Sequence, residues 1–587
     1  MSTLWGSKKP DHADDDESNT LHVNGNGSGE AADNSMARTS DERPRSQRSR
    51  REPTERDRLL PNNPRGPPHS DGYLDPDDPA VSYTSTLNRN EGRNADRIQV
   101  SPYNLWTVRA LRALSVVFLA VTFIWWVLLL VSIFVSPPGL HTRGSGFFDF
   151  SYTTLTAGSL LVSLLFFSAP SMAMRVSQGV LGLIMFVDLV IIVAVPRVRG
   201  EEGPPGIASV VWAVFISGWC VLSDRVVAWG KKEEEERLTG RPETRRTLRE
   251  WLAVLTATVI LIVYIVIVIL MTATLILRSR DASLEMDGQR FWVDGDKYQV
   301  HLACIGNATT SSTGSRSPTI LLEAGEDPSE YDFEHWAYAA YQNGTIDKYC
   351  YWDRPGYAWS DNAPSPHSAG MSADNLAEAL AISGEEGPWI LVSAGYGSIV
   401  SRIFSARHFR DVVGIMLVDP LHEDLLHRIA SPSRGFILWG WGIISPLGLQ
   451  RIAGALFRGR TREDRVYGQD AYQGGKFIKA QLQENLVADS LTKSEVASAR
   501  NIQAANTPLV VVSSGISVRR DEEWKRKQED LTKITDDLLS WDVVNKAPHK
   551  VWETYEGRKL MEKRLGQLVK SGYKSLNELE AEKEVEA

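Results

Sequence analysis

Hydrophobic and polar residues fall along the chain in three regimes. Up to about Trp106 the sequence is polar, rich in Asp, Asn, Ser, Arg and Pro, with no periodic apolar positions. Residues 1–106 are therefore expected to form a disordered tail, because they bury too little surface to offset the entropy of ordering. Five apolar stretches follow, roughly Ala113 to Val135, Ser151 to Ala169, Gly179 to Val195, Gly206 to Leu222 and Trp251 to Leu277. Each approaches the ~20 residues that cross a bilayer as a helix. A run such as WLAVLTATVILIVYIVIVILMTATLIL exceeds what a soluble core helix carries. A membrane domain over 107–280 with about five helices is predicted; the second and fourth runs are rich in Ser, Thr and Gly, which leaves four as the alternative. From Phe291 short β-rich runs alternate with helical intervals: FWVDGDKYQVHLAC, TILLEAG, KYCYWD, WILVSAGYG, VVGIMLVD and PLVVVSS. Nearly continuous apolar strands joined by helix-length connections predict a buried, mostly parallel sheet covered by helices. Residues 281–587 thus read as an α/β domain, whose ligands gather at the carboxyl ends of the strands.

Charge orients the spans. Arg93, Arg97, Arg109 and Arg112 precede the first, and the loop before the last carries Arg225, Lys231, Lys232, Arg237, Arg241, Arg245, Arg246 and Arg249. Cytosolic loops retain such residues, so five spans put the tail in the cytosol and the α/β domain on the other face; Arg278 and Arg280 weigh against this, and four spans would reverse it. Asn307-Ala308-Thr309 and Asn343-Gly344-Thr345 fit the N-glycosylation pattern, as expected of a non-cytosolic domain. The first twenty residues are acidic and lack an apolar core, so membrane entry is expected from the internal spans. A net charge of −9, with the one basic run (Arg43 to Arg58) interrupted by Ser, Glu and Asp, argues against a nucleic-acid partner; the expected partner is the bilayer. Asp188 lies mid-span in GLIMFVDLVIIV, where a charge costs about 2.5 to 3.5 kcal/mol on translocon scales. It reads as a structural carboxyl bonded to hydroxyls such as Thr154 or Ser159, with an ion or substrate path as the alternative. Glu55-Arg56-Asp57-Arg58-Leu59-Leu60 resembles an acidic dileucine sorting signal, which points to vacuole or endosome.

Four segments carry a resemblance to a known family. LLEAG (Leu321 to Gly325), YWDRPGYAWSD (Tyr351 to Asp361), PWILVSAGYGSIVSRIFSARH (Pro388 to His408) and IMLVDPLHED (Ile415 to Asp424) resemble successive landmarks of the α/β-hydrolases, in the family's order. The whole arrangement is similar to a group of uncharacterised fungal membrane proteins in which a multi-span region precedes such a domain. In the family's strand order the segments holding Cys304 and Cys350 lie side by side, which implies a disulfide in an oxidising compartment; two buried free thiols are the alternative. The third cysteine, Cys220, falls in a span.

The family's nucleophile elbow reads Gly-x-Ser-x-Gly on a strand-to-helix turn. Here it reads Ser393-Ala394-Gly395-Tyr396-Gly397, which puts Gly395 at the nucleophile position. Ser393 would lie in the strand and Ser398 on the helix, both displaced from the apex. The resemblance assigns the general base to His549, ahead of the final helix, although Pro548 stands where the family has a glycine; Asp419 is the best candidate acid, because the more usual position after PLVVVSS offers Ile516, Ser517 and Val518, with Asp521 further on. The resemblance assigns the oxyanion hole to the backbone of Tyr396 and of the loop after LLEAG. There Glu326 and Asp327 follow Gly325, and carboxylates at that place oppose an oxyanion unless they cap a helix. Residues 421–507 have the length of a helical cap, and GFILWGWGIISPLGLQRIAGALF within them suggests a lid or a surface resting on lipid; a sixth span is the alternative, against which Pro446 and Arg451 weigh. The expected function is a membrane-tethered, catalytically impaired hydrolase-like protein that binds an apolar or lipid-like ligand or a protein partner. The alternatives are an ester or lipid hydrolase using Ser393, or water activated by His549 and Asp419, and a transporter coupled through Asp188. No cofactor and no metal is called for. An endomembrane or vacuolar location is expected, with a mitochondrial membrane as the alternative.

Overall fold

A computed structural model describes residues 105–239, 246–309 and 316–586. The tail, its basic run and the dileucine-like motif lie outside these residues, as do Arg93, Arg97, Arg241 and Arg245. Five helices come first: α1 (Trp106–Phe134), α2 (Phe147–Leu165), α3 (Met172–Ala194), α4 (Pro196–Thr239) and α5 (Leu248–Asp281). Among the described residues four of them, α1, α3, α4 and α5, are long and apolar enough to cross a membrane. Their lipid-facing sides expose residues such as Val117, Ile124, Phe186 and Val263.

The second apolar run forms α2, and its polarity has a packing explanation. Tyr152, Thr153, Thr156 and Ser159 on this helix are buried. Ser151, Thr153, Thr154 and Thr156 each donate to the carbonyl four residues back, so their hydroxyls are satisfied within the helix. Tryptophan indoles add bonds between helices: Trp212 to Thr122, Trp219 to Ser115 and Trp125 to Ser209, at 2.9, 3.0 and 2.9 Å. In an apolar surrounding such bonds between polar side chains hold helices together. Asp188 is fully buried on α3 and accepts from the Tyr152 hydroxyl at 2.9 Å. Thr154, an expected partner, accepts from Trp126 instead: the expectation fixed the right helix but not which side of it faces α3. Helix α4 breaks at Gly203, whose φ of +62° precedes Pro204 and Pro205, a backbone state that only glycine adopts without strain.

The helices alternate in direction. The carboxyl end of α1 reaches the α/β domain, where the Ser136 amide donates to the Ser365 carbonyl at 2.9 Å. At the start of α2, Phe147 packs with Leu438, Ile478 and Leu482. Past the end of α3, Arg197 lies over the Trp359 ring, while Asp281, ending α5, pairs with Arg465 at 2.6 Å. The opposite end of the bundle holds the ion pairs Arg175–Asp224 (3.0 Å) and Lys231–Glu250 (2.8 Å).

Eight strands follow: β1 (Gln289–Val293), β2 (Tyr298–Gly306), β3 (Thr319–Glu323), β4 (Lys348–Asp353), β5 (Trp389–Ala394), β6 (Val412–Val418), β7 (Leu509–Ser514) and β8 (Leu538–Val544). They form one sheet in the order β1-β2-β4-β3-β5-β6-β7-β8. The β1–β2 and β2–β4 pairs are antiparallel and the others parallel. Helices α6 (Phe333–Gln342), α7 (Ala369–Ser383) and α8 (Gly397–Arg407) connect the early strands, and α9 (Pro432–Ile444), α10 (Leu449–Phe457), α11 (Arg462–Val466), α12 (Gly475–Val487) and α13 (Lys493–Arg500) lie between β6 and β7. After β7 come α14 (Gly515–Arg520), α15 (Glu522–Leu531) and, last, α16 (Tyr555–Glu586). Strands β3 to β7 are buried along their whole length because both faces are covered. One face packs on α7, α8 and α15 through Leu376, Ile403 and Leu531, the other on α6 and α16 through Trp336 and Leu565. This is the α/β-hydrolase-like architecture that the sequence resembles. The segment suggested as a lid forms two short helices, α9 and α10, split by Pro446 and Gly448.

Cys304 and Cys350 face each other across the β2–β4 pair with Cα atoms 4.0 Å apart, and are joined as a disulfide. Cys220 is free and buried. Alkylation of the denatured, unreduced chain is expected to modify Cys220 alone, with two further cysteines reacting after reduction; mass spectrometry of the intact chain counts them. Exchange of both Cys304 and Cys350 for Ser should lower the unfolding temperature, since the bridge closes a long loop in the unfolded chain.

Candidate functional site

The site lies where β3, β5 and β6 end. Between β5 and α8 the chain turns at Gly395, with φ +45°, a region in which side chains are strained. The turn is pinned from two directions. The Gly395 amide donates to the Val418 carbonyl and its carbonyl accepts from the Leu421 amide, at 3.2 and 3.0 Å. Ser398 is fully buried and its hydroxyl donates to the Gly395 carbonyl at 2.7 Å, so it holds the turn rather than facing a ligand. Ser393 is likewise fully buried, inside β5 and two residues short of the apex.

The structure brings His549 and Asp419 together. Asp419 ends β6 with φ +40° and is fully buried. Its Oδ1 accepts from the Ser514 amide and from Trp524 Nε1, both at 3.0 Å, leaving Oδ2 for His549 Nδ1 at 2.7 Å. Asp521, further along the chain, instead caps α15 and pairs with Arg428.

The other side of the imidazole holds what the sequence did not disclose. His549 Nε2 meets Glu326 Oε2 at 3.1 Å, and Glu326 Oε1 accepts the Tyr396 amide at 3.3 Å. A Cβ on residue 395 would lie 2.7 Å from both Glu326 carboxylate oxygens. Glu326 therefore occupies the space that a nucleophile at residue 395 would enter, and takes up the amide of Tyr396 that the family's oxyanion hole would use. The carboxylate lies at the amino end of α8, where it takes the amide of the capping residue Tyr396. Its neighbour Asp327 points elsewhere, accepting from Tyr472 and pairing with Lys550.

Arg354, from the YWDRPG segment, holds Glu326 in this place. Its guanidinium donates to the carbonyls of Ala324 and Gly325 at 2.6 and 2.5 Å and pairs with Glu323 at 2.8 Å and with Glu484 of α12 at 3.3 Å. Burying a charge requires such compensation, and here it fixes the loop that carries Glu326. The signal in the sequence was the one basic residue of the YWDRPGYAWSD landmark, although its partners lie elsewhere along the chain.

Electrostatics follow from the geometry. Burial by itself would depress the His549 imidazole, but Glu326 and Asp419 outweigh it and raise its pKa well above the ordinary value. Burial opposes ionisation of Glu326 too, yet His549 and Arg354 bring it down to about 2. Glu326 and Asp419 flank the imidazole at its two ring nitrogens and favour its protonated form. The contribution of His549 to stability is complete below its unfolded pKa and fades as pH rises through the raised folded value; that of Glu326 is complete above its unfolded pKa and fades as pH falls towards 2. A general base needs a lone pair on Nε2, and Glu326 stands against that nitrogen. Glu323 is pushed up to about 7 by burial, against the pull of Arg354.

Among the described residues the cluster with metal-ligand spacing is Cys304, Cys350 and Glu385, and the disulfide consumes both of its sulfurs. The amide of Asn343, exposed at the end of α6, donates to Glu562 at 2.8 Å, and Asn307 is exposed just after β2.

Residues 55–304 match a family model described as a region of unknown function (DUF2417). The chain is 34% identical over 516 residues to an uncharacterized protein of Schizosaccharomyces pombe, covering 82% of this chain and 94% of that one. It is 27% identical over 384 residues to an uncharacterized vacuolar membrane protein of Saccharomyces cerevisiae, covering 56% of this chain and 59% of the relative. Among solved structures, an α/β hydrolase enzyme from a Medee basin deep-sea metagenome library aligns with 48% of this chain and 96% of its own, at 14% identity and a TM-score of 0.35.

Diethyl pyrocarbonate acylates neutral imidazole and spares imidazolium. At pH 7 His549, 38% exposed at its side chain, should react more slowly than a typical exposed histidine. Glu326→Gln should accelerate it about tenfold or more, as each unit of pKa lost multiplies the neutral fraction by about ten. Peptide mass spectrometry reads both rates.

Proposed function

The chain belongs to the same family as the Schizosaccharomyces pombe protein, and from that premise and the geometry of the site we propose that it is a membrane-anchored hydrolase-like protein without acyl-transfer activity, which binds an apolar or lipid-like ligand. One observation carries the reading: the Glu326 carboxylate lies 2.7 Å from where a side chain on residue 395 would begin. Three requirements of serine hydrolysis then fail together. No hydroxyl stands at the apex, Glu326 stands against the imidazole Nε2, and the donor meant for an oxyanion already holds an anion. The route through Ser393 is disfavoured by its complete burial within β5, and the route through activated water by Glu326, which stands at His549 Nε2. The Tyr152 bond to Asp188 supports a structural carboxyl rather than a transport path. An apolar ligand is supported by the cap, where Phe436, Trp441, Ile444 and Phe457 stand 70, 43, 45 and 84% exposed next to the end of the bundle.

We place the protein in a vacuolar or other endomembrane, with α2 as a fifth crossing and the α/β domain on the non-cytosolic side. The Saccharomyces cerevisiae relative is named a vacuolar membrane protein, and the disulfide suits an oxidising compartment. The far end of the bundle carries Arg225, Lys231, Lys232 and Arg249, as the positive-inside rule asks of a cytosolic face.

A serine-directed fluorophosphonate tests the impairment. The natural protein should remain unlabelled, whereas Gly395→Ser combined with Glu326→Ala should label stoichiometrically, because the His549–Asp419 pair then meets a hydroxyl with its lone pair free. Labelling of the natural protein that disappears in Ser393→Ala would refute the proposal. Orientation is tested separately: glycosidase treatment of protein from its native host should increase gel mobility, and the shift should be lost when Asn307 and Asn343 are both changed to Gln. A mitochondrial location predicts no shift.

A further inference from the structure

Where the bundle meets the cap, a cavity of about 100 Å3 lies between α2, α4, α5 and the α10–α12 region. That is several times the ~10–15 Å3 one water needs on the same measure. Its walls are unusually cationic. Glu201 is shared by Arg278, Arg197 and Lys476 at 2.7, 3.5 and 3.6 Å. Asp281 is shared by Arg465 and Arg451 at 2.6 and 3.5 Å. Glu202, behind Arg278 at 2.6 Å, adds a third carboxylate, so five cations face three acids. Neighbouring acids add no direct ion pair: Asp361 is divided between Arg290 and Arg143, while Asp470 acts on Arg451 and Arg465, and Asp149 on Arg278, only at longer range. Buried cations without a full complement of anions are costly, and the excess sits around an open space.

A second observation points the same way. Arg451 is 8% exposed, lines the cavity, and its Nε has no hydrogen-bond partner. Burial depresses both Arg451 and Lys476 below their ordinary values, as expected where counter-charge is short. The remaining wall is amphiphilic: Phe148 and Thr274 come from membrane helices, Ser445 and Phe477 from the cap. Ile444 and Leu449, 45 and 53% exposed, flank Ser445 in the chain.

We propose that this cavity binds a phosphate-type oxyanion, either the headgroup phosphate of an anionic phospholipid or free phosphate. Two or three oxygens would complete the guanidinium and ammonium partners that Glu201 and Asp281 now share. The inference does not depend on the blocked elbow, and its failure would leave that reading untouched.

The test uses the full chain, delipidated in neutral detergent and phosphate-free buffer. Its unfolding temperature is followed by tryptophan fluorescence with inorganic phosphate against chloride at equal ionic strength, and with dioleoylphosphatidic acid against dioleoylglycerol. A saturable rise of about 3 °C or more with inorganic phosphate supports a free anion. A rise with phosphatidic acid alone, accompanied by a one-lipid adduct in the native mass spectrum, supports a headgroup. Arg451→Gln should abolish the response, with Lys476→Gln as the second variant should the first not fold. Absence of any response beyond chloride and dioleoylglycerol overturns the proposal, as does an undiminished response in a folded variant.

Discussion

Residue 395 and Glu326 compete for one volume. The carboxylate lies 2.7 Å from the position of any Cβ at the turn, closer than nonbonded atoms approach, so a side chain at 395 and this placement of Glu326 exclude each other. The glycine and the glutamate are therefore one feature. Glycine also relieves the backbone, since a φ of +45° burdens any other residue. The turn is rigid, tied to Val418 and Leu421 at the end of β6 and to Ser398 on α8, with a negative charge held over it.

That charge is tolerated because positive groups reach it from two sides. His549, itself gripped by Asp419, provides one. Arg354 provides the other and extends the arrangement outward: by engaging Ala324, Gly325, Glu323 and Glu484 it joins the end of β3 to α12 in the cap. Site and cap thus share an ionic knot, and α12 in turn touches the membrane bundle through Ile478 and Leu482. A disturbance at the lipid-facing end has a continuous path of packed and paired side chains to the elbow.

The sequence disclosed whatever is encoded locally. The apolar runs marked the helices, the strand runs marked the sheet, and Ser393-Ala394-Gly395 showed the missing hydroxyl without any coordinates. Family order placed Cys304 beside Cys350, where a disulfide now joins them, and placed His549 and Asp419 near each other. Features made by long-range juxtaposition were illegible. Glu326 could be seen as an acid in the wrong loop, but its aim at the elbow depends on Arg354 and on how β3 and β5 end side by side. The partner of Asp188 depended on the rotation of α2, which a helix rich in hydroxyls on several sides does not specify. The cationic cavity assembles residues from Arg197 to Lys476, and no local pattern announces it.

The connection between α5 and β1 is short. Only residues 282–288 separate Asp281 from Gln289, a reach of about 25 Å even if fully extended. With the cap also fastened to α2 and α5, the α/β half cannot swing freely like a domain on a flexible stalk. It is confined to a thin aqueous layer beside the lipid. For the lipid-like ligand proposed above, encounter is a search over a surface rather than through a volume, so density within the leaflet, more than bulk concentration, would govern how often the site is filled.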